Sequence, residues 1–262
     1  MKIVAHDADG CRIVGEAHGS PDAPPLLFLN SIGCDRTLWD EQVRGLSADF
    51  RCIVFDARGH GESDAPAAEY GLAQLGQDAL GILDAAGADR AHVCGLSLGG
   101  LVAQWLAIHA PRRTASLVLA NTSSRIGNVE GWETRRALVF AEGLAGIADM
   151  AVSRFFSESF RQAHPEPVAE LRRRFVAASA TGYAGCCAAL RDADLTPQLS
   201  AIQAPTLVIG GELDVSTPPD QTAALAAAIT GARHQVLRAA HLSNLEQADA
   251  FTAALRGHLE AS

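Results

Sequence analysis

A-H-V-C-G-L-S-L-G-G-L-V-A-Q-W-L, residues 91–106, is the stretch whose reading decides the fold. An apolar run, Ala91 to Cys94, reads as a buried strand, and the Pro-free stretch through His109 reads as a helix. Between them Gly95-Leu96-Ser97-Leu98-Gly99 fits G-x-S-x-G. A serine on so sharp a strand-to-helix turn is forced into strained backbone angles, and its hydroxyl is lifted clear of the sheet. Gly95 and Gly99 remove side chains that would collide where strand and helix cross. The turn aims the Leu98 N–H, at the helix start, toward where negative charge develops on an attacked carbonyl. Ser97 is therefore the candidate nucleophile and the Leu98 N–H a candidate oxyanion donor. The bare motif also occurs by chance in glycine-rich turns; the strand before it and the helix after it favour the nucleophile.

Working outward, strands and helices alternate. Residues 2–18 read as two short strands joined at Asp9-Gly10. L-L-F-L-N-S after Pro24-Pro25 and residues 51–56 read as strands, 37–47 and 72–87 as helices, and 115–120 as a further strand. The alternation stops near Asn121. Helical segments at 130–143, 145–156, 166–180 and 183–191 follow, with no convincing strand. It resumes with the strand T-L-V-I-G-G after Pro205, a helix over 218–229, a strand over 234–238 and a last helix over 246–260. Eight strands in this arrangement predict an α/β fold. Its sheet is mostly parallel and covered by helices on both faces. The expected division is a core of residues 1–123 and 196–262, with a helical cap, 124–195, inserted over the carboxyl edge of the sheet.

The bulk properties narrow the function. A chain of 262 residues with 48% hydrophobic content can bury a sizeable core. A net charge of −9 argues against nucleic acid or an anionic membrane as partner. No apolar run is long enough to span a bilayer, and the N-terminus lacks an apolar signal-peptide segment. Six cysteines, at 11, 34, 52, 94, 186 and 187, include no C-x-x-C pair and no zinc spacing. They read as reduced thiols, so a cytoplasmic location and no bound metal are expected.

A serine hydroxyl needs a base to take its proton, and the base needs a carboxylate to orient it. On this fold the chain order is Ser, then Asp or Glu, then His. His241, in the loop A-A-H-L-S-N-L-E after the last strand, is the candidate base. His234 begins a strand, His258 is read in a surface helix, and His92 lies on the strand entering the elbow, so these read as structural. Asp214, after V-I-G-G-E-L, is the candidate carboxylate, with Glu212 as its rival; Asp192 and Asp194 read as hinge residues or helix caps. The loop Asn30-Ser31-Ile32-Gly33 should supply a second oxyanion donor, for which the Ile32 N–H is the candidate.

With these motifs in place the chain resembles the α/β-hydrolase superfamily over nearly its whole length. Most members carry His-Gly where this chain has Asn30-Ser31. The loop N-S-I-G-C-D-R-T-L-W-D is similar to that of 3-oxoadipate enol-lactonases. So are D-A-R-G-H-G-E-S at 56–63, A-N-T-S-S-R-I-G at 120–127 with Trp132 beyond it, and A-H-L-S-N-L-E-Q at 240–247. The resemblance implies hydrolysis of a small anionic enol-lactone to 3-oxoadipate in aromatic-compound breakdown, through an acyl-enzyme and without metal or organic cofactor. An acidic protein that binds a carboxylate must place local positive charge in its pocket. Trp132 and Arg135 share a helix face three residues apart, and the Trp132 N–H and Arg135 are expected to hold the carboxylate. Rival readings are a general carboxylesterase or a cofactor-free haloperoxidase-like perhydrolase of the same fold, and a non-catalytic ligand receptor. Oligomeric state is not legible.

Overall fold

The computed structural model describes residues 1–261. In chain order its elements begin β1 (Lys2–His6), β2 (Arg12–His18), β3 (Pro25–Leu29), α1 (Asp40–Leu46), β4 (Arg51–Phe55), α2 (Leu72–Ala85), β5 (Ala91–Leu96), α3 (Leu98–His109) and β6 (Thr114–Ala120). Five helices follow: α4 (Val129–Glu142), α5 (Ala148–Phe155), α6 (Glu158–Ala163), α7 (Pro165–Ala177) and α8 (Ala180–Asp192). The chain then closes with β7 (Thr206–Gly211), α9 (Pro219–Ala228), β8 (Arg233–Leu237), α10 (Ser243–Glu246) and α11 (Ala248–Leu259).

The strands make one sheet in the order β1-β2-β4-β3-β5-β6-β7-β8. β2 runs antiparallel to both its neighbours, and every pairing from β4 to β8 is parallel. Central strands read as continuous apolar runs because both faces are covered. Leu26, Leu27, Phe28, Ile53, Cys94, Leu117 and Val208 are all buried. Trp39 lies 4.8 Å from Phe28 and 6.1 Å from Phe251 between ring centroids, which brings α1 and α11 together over β3. Each such fully buried large side chain contributes about 1.5–3 kcal/mol.

Register explains where a site can form. Leu29 pairs with Gly95, Leu96 with Ala120, Ala120 with Ile209, and Gly211 with Leu237. The carboxyl ends of β3, β5, β6, β7 and β8 are thus neighbours, and the loops leaving them share one edge, the usual ligand edge of an open parallel sheet.

Three differences from the sequence reading have local causes. α6 lay in a gap of that reading; six residues are too short for periodicity, and the signal was Ser157, whose hydroxyl caps the Phe160 N–H at 3.2 Å. The expected last helix, 246–260, is α11, and a four-residue helix, α10, precedes it in the stretch read as the histidine loop, the two separated at Gln247. His258 is buried rather than on a surface, its Nδ1 2.9 Å from an Arg233 nitrogen and its Nε2 3.2 Å from the Pro205 carbonyl. All six cysteines are free and buried, and no helix is long and apolar enough to cross a membrane among the described residues.

Candidate active site

Ser97 sits at φ 58°, ψ −117°, between β5 and α3. A non-glycine residue held there costs about 1–3 kcal/mol, so the surroundings must impose it. They do so through both peptide groups of the residue. The Ser97 N–H donates to Ala120 O at 3.0 Å, and Ser97 O accepts from Gly100 N, Leu101 N and Thr122 Oγ1. The glycines admit the crossing: a Cβ on Gly95 would stand 2.2 Å from Gly99 O, and one on Gly99 would stand 2.1 Å from Leu29 O.

Asp214 and His241 meet beside this turn. His241 Nδ1 lies 2.8 Å from Asp214 Oδ2, and an ionised carboxylate only accepts, so Nδ1 carries the proton and Nε2 is left as the basic nitrogen. Asp214 also accepts from Ser216 N, Thr217 N, Thr217 Oγ1 and Asn121 Nδ2. Burial alone would raise its pKa; the facing imidazole and these hydrogen bonds outweigh it and hold the carboxyl below its ordinary range. The rival Glu212 is exposed. Asp192 pairs with Arg191 and Asp194 accepts from Thr196 N, both away from this edge.

Asn121 was not singled out for chemistry in the sequence. It leaves β6 at φ 44°, a left-handed conformation that asparagine tolerates better than most residues. Its amide donates to Asp214 Oδ2 at 2.9 Å and to Ala240 O at 3.2 Å, and its carbonyl accepts from Ser243 Oγ. One side chain thus ties the acid loop, the histidine loop and α10. Glu246 adds a second tie, accepting from Ala240 N and Ser157 N at 3.1 Å each.

The loop after β3 is equally constrained. Asn30 Nδ2 donates to Phe55 O at 2.8 Å and Asn30 Oδ1 accepts from Trp39 Nε1 at 2.9 Å. Residues 31–34 form a turn closed by Cys34 N to Ser31 O, with Gly33 at φ 79°, as a type II turn requires at its third position. Gly33 N donates to His60 Nε2 at 2.8 Å. His60 is therefore neutral with its proton on Nδ1, 3.3 Å from Arg58 O, and burial lowers its pKa. The N–H groups opening a helix lack partners inside it. Gly99 N donates to Asn30 O, while Leu98 N and Ile32 N have no protein acceptor among the described residues.

Ser97, His241, Ile32 and Ser31 line one cavity of about 590 Å³, whose opposite wall is made by side chains of α4, α5 and α8. That volume suits a small molecule. The ring of Phe155 lies nearly parallel to His241, 10° between planes. Trp132 and Arg135 are in the cavity wall, the Arg135 guanidinium 5.0 Å from the indole centroid and 3.5 Å from the Tyr183 hydroxyl. The expected role of the Trp132 N–H does not fit. It donates to the Ile126 carbonyl within the protein, so the indole is a face on which Arg135 stacks, not a free donor. Arg154 also lines the cavity. Its side chain is exposed at the cavity mouth; what desolvation it has and the neighbouring Arg135 charge lower its pKa, and neither arginine has a carboxylate partner among the described residues. Glu130 is in the wall as well, exposed.

A larger cleft of about 1200 Å³ opens between α6, α7 and the α10–α11 corner, but neither Ser97 nor His241 reaches it. Size does not choose the site here; the converging polar groups do.

The alpha/beta hydrolase fold family matches residues 24–248. This chain belongs to the alpha/beta hydrolase fold family. It is 40% identical over 237 residues to "3-oxoadipate enol-lactonase 2" of Acinetobacter baylyi, covering 90% of this chain and 89% of that protein. It is 34% identical to "3-oxoadipate enol-lactonase 1" of the same organism, covering 98% and 97%. The solved enol-lactonase from Burkholderia xenovorans LB400 superposes with a TM-score of 0.95 at 39% identity, over 96% of this chain and 98% of that one. With such relatives over almost its whole length, this alpha/beta hydrolase is a serine hydrolase acting on carboxylic esters or lactones.

Proposed function

We propose that this hydrolase opens 3-oxoadipate enol-lactone to 3-oxoadipate in aromatic-compound breakdown, with Ser97, His241 and Asp214 as its triad and residues 124–195 as a cap over them. The observation that carries the substrate reading is the pair of cations, Arg135 and Arg154, facing the Ser97 cavity without carboxylate partners. Arg135 is half-buried and Arg154 exposed, and two guanidiniums facing one cavity favour an anion in it, because each forms its strongest hydrogen bonds with a carboxylate. A lactone bearing an acetate arm supplies that anion.

In the reaction so assigned, Ser97 Oγ attacks the ring carbonyl while His241 Nε2 takes its proton, and Asp214 stabilises the imidazolium. The oxyanion is held by the Ile32 and Leu98 N–H groups. The ring C–O bond then breaks, and the leaving enol oxygen receives the proton from His241. Water, deprotonated by His241, attacks the acyl-enzyme, and Ser97 leaves with that proton. The enol product tautomerises to the ketone. Arg135, stacked on Trp132, fixes the acetate arm and so the ring orientation.

A carboxylesterase of the same fold would not need the cations. Measured kcat/KM for the charged enol-lactone against a neutral phenyl ester separates the two. The proposal expects strong preference for the lactone; equal or better turnover of the neutral ester contradicts it.

A further inference from the structure

Ser31 is 2% exposed, and its hydroxyl has no hydrogen-bond partner within the protein. Leaving a buried hydroxyl unpaired is costly, and folded proteins seldom tolerate it without cause. Other buried polar side-chain atoms lack partners as well, such as Gln104 Oε1 and Thr114 Oγ1, but among the described residues Ser31 is the only one with such an atom that also lines the Ser97 cavity.

The position is also fixed. Asn30 is clamped to Phe55 O and Trp39 Nε1, and Ser31 O accepts from Cys34 N, so the backbone on both sides of the side chain is held. A seryl Oγ and the N–H of the next residue are linked only through Cβ, Cα and the carbonyl carbon. An oxygen that accepts from the Ile32 N–H therefore sits beside Ser31, and rotation about its Cα–Cβ bond is what turns the hydroxyl toward that oxygen.

We infer that the Ser31 hydroxyl is a third donor to the substrate oxyanion, beside the N–H groups of Ile32 and Leu98. This rests on Ser97 being the nucleophile. The hydroxyl keeps its proton throughout; it donates to the oxygen that gains charge when Ser97 adds to the carbonyl and is freed when the carbonyl re-forms. A donor so placed acts on the transition state more than on the ground state.

Ser31→Val and Ser31→Thr test it, being nearly equal in size and differing in the hydroxyl. Rates are read on phenyl acetate and on the enol-lactone, with phenylboronic acid as a tetrahedral-adduct probe. For Ser31→Val kcat should fall about 100-fold on both substrates, with KM within about twofold and the boronate inhibition constant rising in step. Ser31→Thr should keep kcat within about tenfold of wild type, and melting temperature should not track the loss. Should the valine not fold, Ser31→Ala gives the same readout. Equal losses in the Val and Thr variants, or unchanged kcat in Ser31→Val or Ser31→Ala, overturn the inference. Failure of the underlying reading looks different: turnover would survive Ser97→Ala.

Discussion

Asn121 Nδ2 donates to Asp214 Oδ2 at 2.9 Å from a backbone held at φ 44°. The residue that closes β6 thereby orients the carboxylate that closes β7. Asn121→Ala removes a bond to a buried charged group, about 1.5–3 kcal/mol, and should lower kcat roughly 10- to 100-fold with little change in KM. Asn121→Gly should lose as much kcat but less melting temperature, because glycine relieves the left-handed backbone. Full activity in either variant would show that Asp214 needs no such support.

Acid should weaken the fold through His60. Its Nε2 accepts from Gly33 N, and burial depresses its pKa below the ordinary histidine value. Between the folded and unfolded values the unfolded chain binds the extra proton, so stability is full above about pH 6.5 and is lost as pH falls toward the folded value. His60→Gln keeps an acceptor and cannot titrate. Melting curves across that window should be flatter for His60→Gln than for wild type; an identical slope would refute the assignment.

The anion site predicts a split between substrates. Arg135→Ala should raise KM for the charged lactone about 10- to 100-fold while leaving a neutral phenyl ester nearly unchanged. Arg154→Ala should act in the same direction. Equal losses on both substrates would assign these arginines to packing.

The docking of α8 depends on two glycines. A Cβ on Gly182 of α8 would stand 2.2 Å from Gly59 O, a backbone contact with no flexible side chain to yield. Gly182→Ala should cost about 1–3 kcal/mol and lower the melting temperature by roughly 3–10 °C, read by calorimetry. An unchanged melting temperature would mean that α8 shifts freely over residues 56–63.

Much of this architecture is legible along the chain because it is local. Periodicity marks the strands and most helices, and the glycines around Ser97 announce a tight crossing. Asp214 and His241 could be singled out because each follows a strand end, and the parallel register makes those ends adjacent. What stays hidden depends on contacts between distant residues. The bond from Asn121 to Asp214 spans 93 positions, and that from Gly33 to His60 spans 27. The Trp132 N–H shows the same limit: helical spacing places the indole beside Arg135, but only the folded loop brings the Ile126 carbonyl to its donor.

Ultraviolet-monitored loss of 3-oxoadipate enol-lactone, in wild type and in Ser97→Ala, tests the central claim most directly. The account predicts rapid turnover by wild type and a loss of at least about 10⁴-fold in kcat for the variant, as removal of a triad nucleophile requires. No turnover by wild type would contradict the substrate, and turnover retained by Ser97→Ala would contradict the mechanism.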